Sequence, residues 1–136
     1  MRKALVLILF VTGLIVSPAL AAPVGQDDAH VQSLAAPVLD NLLAGMQEMD
    51  YAKYSRDFES VMAEAMTEEK FKSMQAQLNK SFGNCTGKTY LGFIDKGDMT
   101  MTLWKARFSA TTDDVLIKLI LTRRGPKVSV VGLWFE

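Results

Sequence analysis

The spacing of apolar residues changes once along the chain, near Gly83. Before this glycine, apolar residues recur with a period near 3.6, which is typical of helices packed on one side. After it, apolar and polar residues alternate with a period of 2, which is typical of strands in a sheet. The pattern therefore predicts a helical half followed by a strand half.

Three helices are predicted in the first half of the chain. Asp50 and Thr67 are good N-caps for the second and third helices. Pro37 suits the first turn of the main part of helix one. Gly83 suits the C-terminal cap of the third helix, because glycine adopts the left-handed conformation at little cost. The predicted spans are 31–49, 51–66 and 68–82.

Four strands are predicted in the second half, over 86–95, 99–110, 115–123 and 127–135. Their connections are short and rich in turn residues, as in Lys96-Gly97-Asp98. Such connections join antiparallel neighbours, because parallel pairs need a long crossover. The sequence thus predicts an α+β domain, with N-terminal helices packed on a curved four-stranded antiparallel meander.

The two faces of this sheet differ in composition. One face is strongly apolar and is expected to carry the helices. The other, outer face mixes basic and apolar side chains, which favours contact with a partner over bare solvent. The basic side chains are expected to form a solvated stripe, with an anionic ligand or an acidic partner as the alternatives, and the apolar side chains between them favour a homodimer through this face. The candidate interface residues are Leu103, Lys105, Arg107, Leu116, Lys118 and Ile120.

The N-terminus carries the marks of a secretory signal peptide over residues 1–21. Arg2 and Lys3 precede an apolar run of about 13 residues, whereas a membrane span needs roughly 20. Ala19-Leu20-Ala21 is a cleavage site of the A-x-A type. We expect export to the periplasm or medium without a lasting membrane anchor, an uncleaved anchor being the alternative. A flexible leader over 22–35 and the folded domain over 36–136 are predicted to follow.

The net charge, the single cysteine and the single histidine argue against several classes of function. The chain has 15 basic and 15 acidic residues, so loss of Arg2 and Lys3 leaves a net charge of −2. This balance gives no steering toward nucleic acid. Cys85 is the single cysteine and is expected to be a small buried residue, with an intermolecular disulfide or a redox role as the alternative. His30, the single histidine, falls in the leader, so no metal site and no cofactor are predicted.

A set of core and cap residues gives the chain a family resemblance. The set consists of Asp50-Tyr51, Phe58, Met62, Met66-Thr67-Glu68-Glu69, Phe71, Gly83 and Gly132-Leu133-Trp134-Phe135. With the helix and strand order, it resembles the cystatin-like, nuclear transport factor 2-like α+β roll. More narrowly, it resembles a family of secreted bacterial domains of unknown function, some of which precede an α/β-hydrolase domain.

The resemblance implies a cone whose pocket binds a small ligand or is filled by side chains. The candidate lining residues are Tyr54, Phe58, Trp104, Phe108 and Trp134, although aromatic residues at such positions more often form plain core. We expect a non-enzymatic module that binds a small apolar or anionic ligand, or a protein. The alternative is a small cofactor-independent enzyme, isomerase-like or hydrolase-like. Tyr54 and Asp57 would be its catalytic pair, since such sites combine a carboxylate and a hydroxyl donor.

Overall fold

Helices and strands occupy separate halves of the chain in the computed structural model, which describes residues 19–136. The elements are β1 (Ala21–Ala22), α1 (Asp28–Gln47), α2 (Tyr51–Tyr54), α3 (Ser60–Ala65), α4 (Glu68–Ser81), β2 (Cys85–Lys96), β3 (Met99–Phe108), β4 (Val115–Arg124) and β5 (Lys127–Phe135). The predicted α+β class is confirmed. The predicted signal peptide lies almost entirely outside the described residues and stays a prediction.

The sheet is an antiparallel meander in the order β2–β3–β4–β5, to which β1 adds a short fifth strand beside β4. Register shifts interrupt the β2–β3 ladder at Thr86 and Leu91, and the β4–β5 ladder at Val131. Because such bulges bend a strand and increase its twist, the sheet curls into a half-barrel. Its concave face receives the helices.

The core lies between this concave face and the helices, and the predicted division of the faces is confirmed. Along β3, and along β4 as far as Leu121, every second residue is buried, and the residues between are half-buried or exposed. Burying one face of the sheet and the apolar stripe of each helix is the main driving force of folding. The largest fully buried side chains include Tyr54, Phe71, Leu39, Leu42, Ile117, Leu119 and Leu121.

The N-terminal segment corrects the predicted flexible leader over 22–35. α1 already begins at Asp28, where the Asp27 carboxylate caps it by accepting a hydrogen bond from the His30 amide at 2.8 Å. Val24 is fully buried, and its amide donates to the Thr100 hydroxyl at 2.9 Å. α1 continues through Pro37 to Gln47. The predicted leader thus contains three fully buried residues, Val24, Val31 and Ala35, and one helix cap.

The second predicted helix, over 51–66, is divided into α2 and α3. Between them the backbone leaves the helix and pairs with β5 beside its bulge. The Val130 amide donates to the Asp57 carbonyl at 2.6 Å, and the Glu59 amide donates to the Val130 carbonyl at 2.8 Å. Phe58 forms a parallel bridge with Val130. Hydrogen bonds to a distant strand thus replace those that would have continued the helix.

Gly45 sets how closely the two N-terminal helices approach. A Cβ at this position would lie 2.7 Å from the backbone nitrogen of Tyr54, so only glycine fits. Nearby, the Asn41 side-chain amide donates to the Lys53 carbonyl at 2.7 Å. α2 is therefore fixed against α1, and Tyr54 is held in the core.

Candidate functional site

A cleft of about 330 Å³ opens between α1, α4 and one end of the sheet. We call it the apolar cleft, after six apolar side chains in its wall. They are Leu43, Ala44 and Met46 from α1, Leu78 from α4, Phe108 from β3 and Phe135 from β5. Its volume lies at the lower end of the range of small-molecule sites.

The end of α4 shapes one border of this cleft. Gly83 follows the helix with φ of 76°, and its amide donates to the Asn79 carbonyl at 3.0 Å, as expected of a left-handed helix cap. The chain then turns directly into β2. A Cβ at Gly83 would also lie 2.3 Å from the Ser109 hydroxyl oxygen, so the turn itself needs glycine.

The aromatic wall of the apolar cleft continues into the core. The rings of Phe108 and Phe135 meet edge to face with centroids 6.1 Å apart, and Phe82 lies 5.7 Å from Phe108. These are favourable distances for aromatic pairs. The wall is therefore held in place by its own packing.

An ion pair borders the apolar cleft on its polar side. Lys88, which points from β2 toward the helices, pairs with Asp40 on α1. The lysine side chain is 22% exposed and the aspartate 61% exposed. The pair joins the sheet to α1 and presents no net charge to the cleft.

Cys85 also lines the apolar cleft, at the start of β2. It is a free thiol of intermediate exposure, and its Sγ donates to the Gly87 carbonyl at 3.6 Å. It opposes Phe108 in the sheet register, so it stands on the concave face. The cysteine that was expected to be buried is instead half-buried in a cleft wall.

A second cleft, of about 310 Å³, adjoins the first. We call it the amide cleft, because four of its six lining side chains are carboxamides. They are Gln47, Gln75, Asn79 and Asn84. Gln75 is only 8% exposed, and its Oε1 is buried without a hydrogen-bond partner among the described residues. Such a carbonyl usually has a partner.

Only one of the five predicted lining residues borders the apolar cleft, namely Phe108. Tyr54, Phe58 and Trp104 are buried in the core instead. Tyr54 packs against Phe58 and Phe71 with ring centroids 5.1 and 4.7 Å apart. The Trp104 indole nitrogen donates to the Thr102 hydroxyl at 2.9 Å.

The fifth of these residues, Trp134, corrects the prediction most clearly. It lies opposite Lys118 in the β4–β5 register, which places it on the outer face, and it is 51% exposed. Its ring covers Gly132, where a Cβ would lie 2.2 Å from Cζ3. The outward direction follows from the bulge in β5, which shifts the alternation by one residue.

The predicted catalytic pair is not assembled at either cleft. The Tyr54 hydroxyl is buried, and no described residue bonds to it. Burial raises the pKa of Tyr54, and the nearby Tyr51 raises it further. Asp57 instead pairs with Arg56 at 3.1 Å. Neither residue lines the apolar cleft.

The six predicted interface residues all lie on the outer face, as the strand periodicity predicts. Two of its cations have acidic partners: Lys118 contacts Glu136 at 2.6 Å, and Arg107 contacts Asp114 at 3.2 Å. Ile94, from β2, is 47% exposed and lies opposite Met101 on the same face. The face therefore combines exposed apolar area with charges of both signs.

The residues that make the clefts polar were not singled out from the sequence. Gln75 gave one usable signal, because it lies four residues after Phe71 and so falls within the apolar stripe of α4. Asn84, Lys88 and Asp40 gave none, since each stands at a position where a polar residue is ordinary. Their convergence depends on the turn at Gly83 and on how α1 crosses β2.

Comparison of the chain with protein-family models, with curated proteins and with solved structures finds no match. Over residues 19–136, no helix is long and apolar enough to cross a membrane. Within the same range, no three His, Cys, Asp or Glu side chains converge as metal ligands would.

Proposed function

We propose that this protein is a small-ligand-binding module whose site is the apolar cleft. The observation that carries the proposal is the cleft itself: a concave, largely apolar surface with a few polar groups at its border. Sites for small molecules typically have this composition. The helix cap at Gly83 and the packed phenylalanines give the walls a fixed shape, which lowers the entropic cost of binding.

The proposal assigns no catalytic role to Tyr54 or Asp57. General acid–base chemistry needs both groups within hydrogen-bond reach of a bound substrate. The Tyr54 hydroxyl is enclosed by the core, and Asp57 is engaged by Arg56. The proposed function is therefore binding, with no catalytic step assigned to this pair.

A cleft-filling variant tests the proposal. We expect the neutral apolar dye N-phenyl-1-naphthylamine to fluoresce on binding the wild-type protein, because the cleft removes it from water. Ala44→Phe places a ring in the cleft and is expected to abolish the signal. Ala63→Phe, an exposed position on α3 that lines neither cleft, is the control and should bind as the wild type does.

Two results would contradict this proposal. One is the absence of any dye signal with folded wild-type protein. The other is a signal from Ala44→Phe equal to that from Ala63→Phe, since dye bound outside the cleft would not be displaced by the ring at position 44. Circular dichroism of each variant establishes that it is folded.

We also propose that the protein is exported and related to the secreted bacterial family that its core pattern resembles. The half-barrel fold supports the relationship, and the N-terminal pattern of charge, apolar run and A-x-A site supports export. N-terminal sequencing of protein from the exported fraction tests this. A first residue of Ala22 is expected, and intact chain retained in the cytoplasm would contradict export.

The outer sheet face supports a second proposal, a homodimer. Trp134 is half exposed there and rests on Gly132, and the half-buried Leu116 and Ile120 lie on the same face of the neighbouring strand, on either side of its partner Lys118. Aromatic residues of this kind commonly anchor protein interfaces. The paired charges Lys118–Glu136 and Arg107–Asp114 give the face both signs, which is compatible with the self-complementarity of a two-fold interface.

A further inference from the structure

The two clefts form one continuous binding surface with two chemical halves. Gln47, Gln75 and Asn84 line both. Phenylalanine and aliphatic side chains dominate one half, and carboxamides dominate the other. A ligand that spans both halves would therefore have an apolar part and a polar part.

The charges around this surface indicate what kind of polar part fits. Asp40 and Lys88 are the charged residues among the described side chains that line it, and they pair with each other. A charged headgroup placed there would lose water without gaining a counter-ion, which is costly. Carboxamides donate and accept hydrogen bonds without charge, so they match hydroxyl or amide groups.

Gln75 gives independent support for a ligand at the junction of the two halves. Its Oε1 is buried and has no partner among the described residues, although the residue borders both clefts. An unpaired buried carbonyl is costly, and a donor that reached it would recover that cost. The terminal torsion of a glutamine side chain is soft, so the oxygen readily turns toward such a donor.

We infer that the ligand is an uncharged amphiphile. Its apolar part enters the apolar cleft, and its hydroxyl- or amide-bearing head lies in the amide cleft, where it donates a hydrogen bond to Gln75. This inference rests on the proposed function and adds the chemical class of the ligand.

A series of probes with one tail and three heads tests the class. Octyl glucoside, octanoate and octyltrimethylammonium are each used below their micellar concentrations to displace N-phenyl-1-naphthylamine from the wild-type protein. We expect the neutral glucoside to bind at least about tenfold more tightly than either charged probe, because neither charge finds a partner. Equal or tighter binding of a charged probe would overturn the inference.

A substitution at Gln75 tests the role of that residue. Gln75→Leu keeps the approximate volume and removes the acceptor, so we expect glucoside affinity to fall about fivefold, the worth of one net hydrogen bond. Octanoate affinity should not change. Gln77→Leu makes the same change on the exposed side of α4 and should leave both affinities as they are. An unchanged glucoside affinity in Gln75→Leu would remove Gln75 from the site.

The dye separates failure of the inference from failure of the proposed function. If the dye binds in an Ala44-dependent way but no head group is preferred, the cleft is a binding site and the inferred class is wrong. If the dye does not bind folded protein at all, the proposed function and the inference both fail.

Discussion

The buried hydroxyl of Tyr54 is a cost to the folded protein. The ring fills the centre of the core, but its oxygen is buried and no described residue bonds to it. Leaving such a group unpaired typically costs about 1–3 kcal/mol. Packing of the ring against Phe58 and Phe71 outweighs this cost, which is why the tyrosine is accommodated.

Tyr54→Phe is therefore expected to leave the free energy of unfolding unchanged or to raise it by about 1 kcal/mol, since it keeps the ring and removes the unpaired oxygen. Tyr54→Ala should lower it by about 3–5 kcal/mol through the cavity it leaves. Chemical denaturation measures both. A clear loss of stability in Tyr54→Phe would mean that the hydroxyl has a partner after all.

Tyr54 also makes the free energy of unfolding depend on pH in the alkaline range. Burial raises the pKa of Tyr54 in the folded state, whereas an unfolded tyrosine ionises near about 10. Above that pH the unfolded chain loses a proton that the folded chain keeps, so stability falls as pH rises. Tyr90 adds to this fall, because burial and its hydrogen bond to Asp28 also raise its pKa.

Above pH about 10, we expect the free energy of unfolding to fall less steeply in Tyr54→Phe than in the wild type. The difference is up to about 1.4 kcal/mol for each pH unit, because phenylalanine has no proton that the unfolded chain can lose. Denaturation curves between neutral and alkaline pH measure the difference. Identical slopes for the two proteins would show that Tyr54 ionises alike in both states.

At the scale of elements, local capping and distant pairing act against each other. α1 and α4 begin where their cap residues place them, since Asp27 and Thr67 satisfy first-turn amides. The segment between α2 and α3 follows Val130 of β5 instead. In that segment, hydrogen bonds to β5 supply partners for backbone groups that a continuous helix would otherwise have paired.

Asp27 tests whether the N-terminal segment is part of the fold. Asp27→Ala is expected to lower the free energy of unfolding by about 1 kcal/mol, the usual worth of an N-cap. Asp27→Asn should retain most of the stability, because asparagine caps equally well. A flexible leader would give no change in either variant, so thermal or chemical unfolding decides between the two descriptions.

At the scale of the whole molecule, the curl of the sheet gives its two faces different surroundings. The concave face encloses the core and leaves the clefts at one end. The outer face is left open, with Trp134 exposed on it. Binding of a small molecule and association of two copies would therefore use different surfaces and need not compete.

Trp134→Ala tests the association. If the homodimer forms through the outer face, we expect its dissociation constant to rise about tenfold or more, as for an interface anchor. Val61→Ala truncates another exposed apolar residue, on α3, and should not change association. Sedimentation velocity over a range of concentrations measures both, and a wild-type protein that stays monomeric at all of them would refute the homodimer.

Much of this architecture could be read from the chain, because its determinants are local. The change of period at Gly83, the cap at Thr67 and the short turns predicted α4 and the four strands of the meander to within a few residues. Alternation along β3 and β4 also predicted which side chains face outward, including Leu103, Lys105 and Arg107. Each of these follows from geometry within one element.

Only the tertiary structure decided the candidate site. Trp134 faces outward because a bulge shifts β5, and Tyr54 is enclosed because Gly45 lets α2 approach α1. Gln75 and Lys88, 13 residues apart in sequence, border one cleft because the chain reverses at Gly83. Such positions depend on contacts between elements, and no spacing along a single element encodes them. The sequence by itself therefore determined the elements and their faces, and the packing between elements determined the clefts.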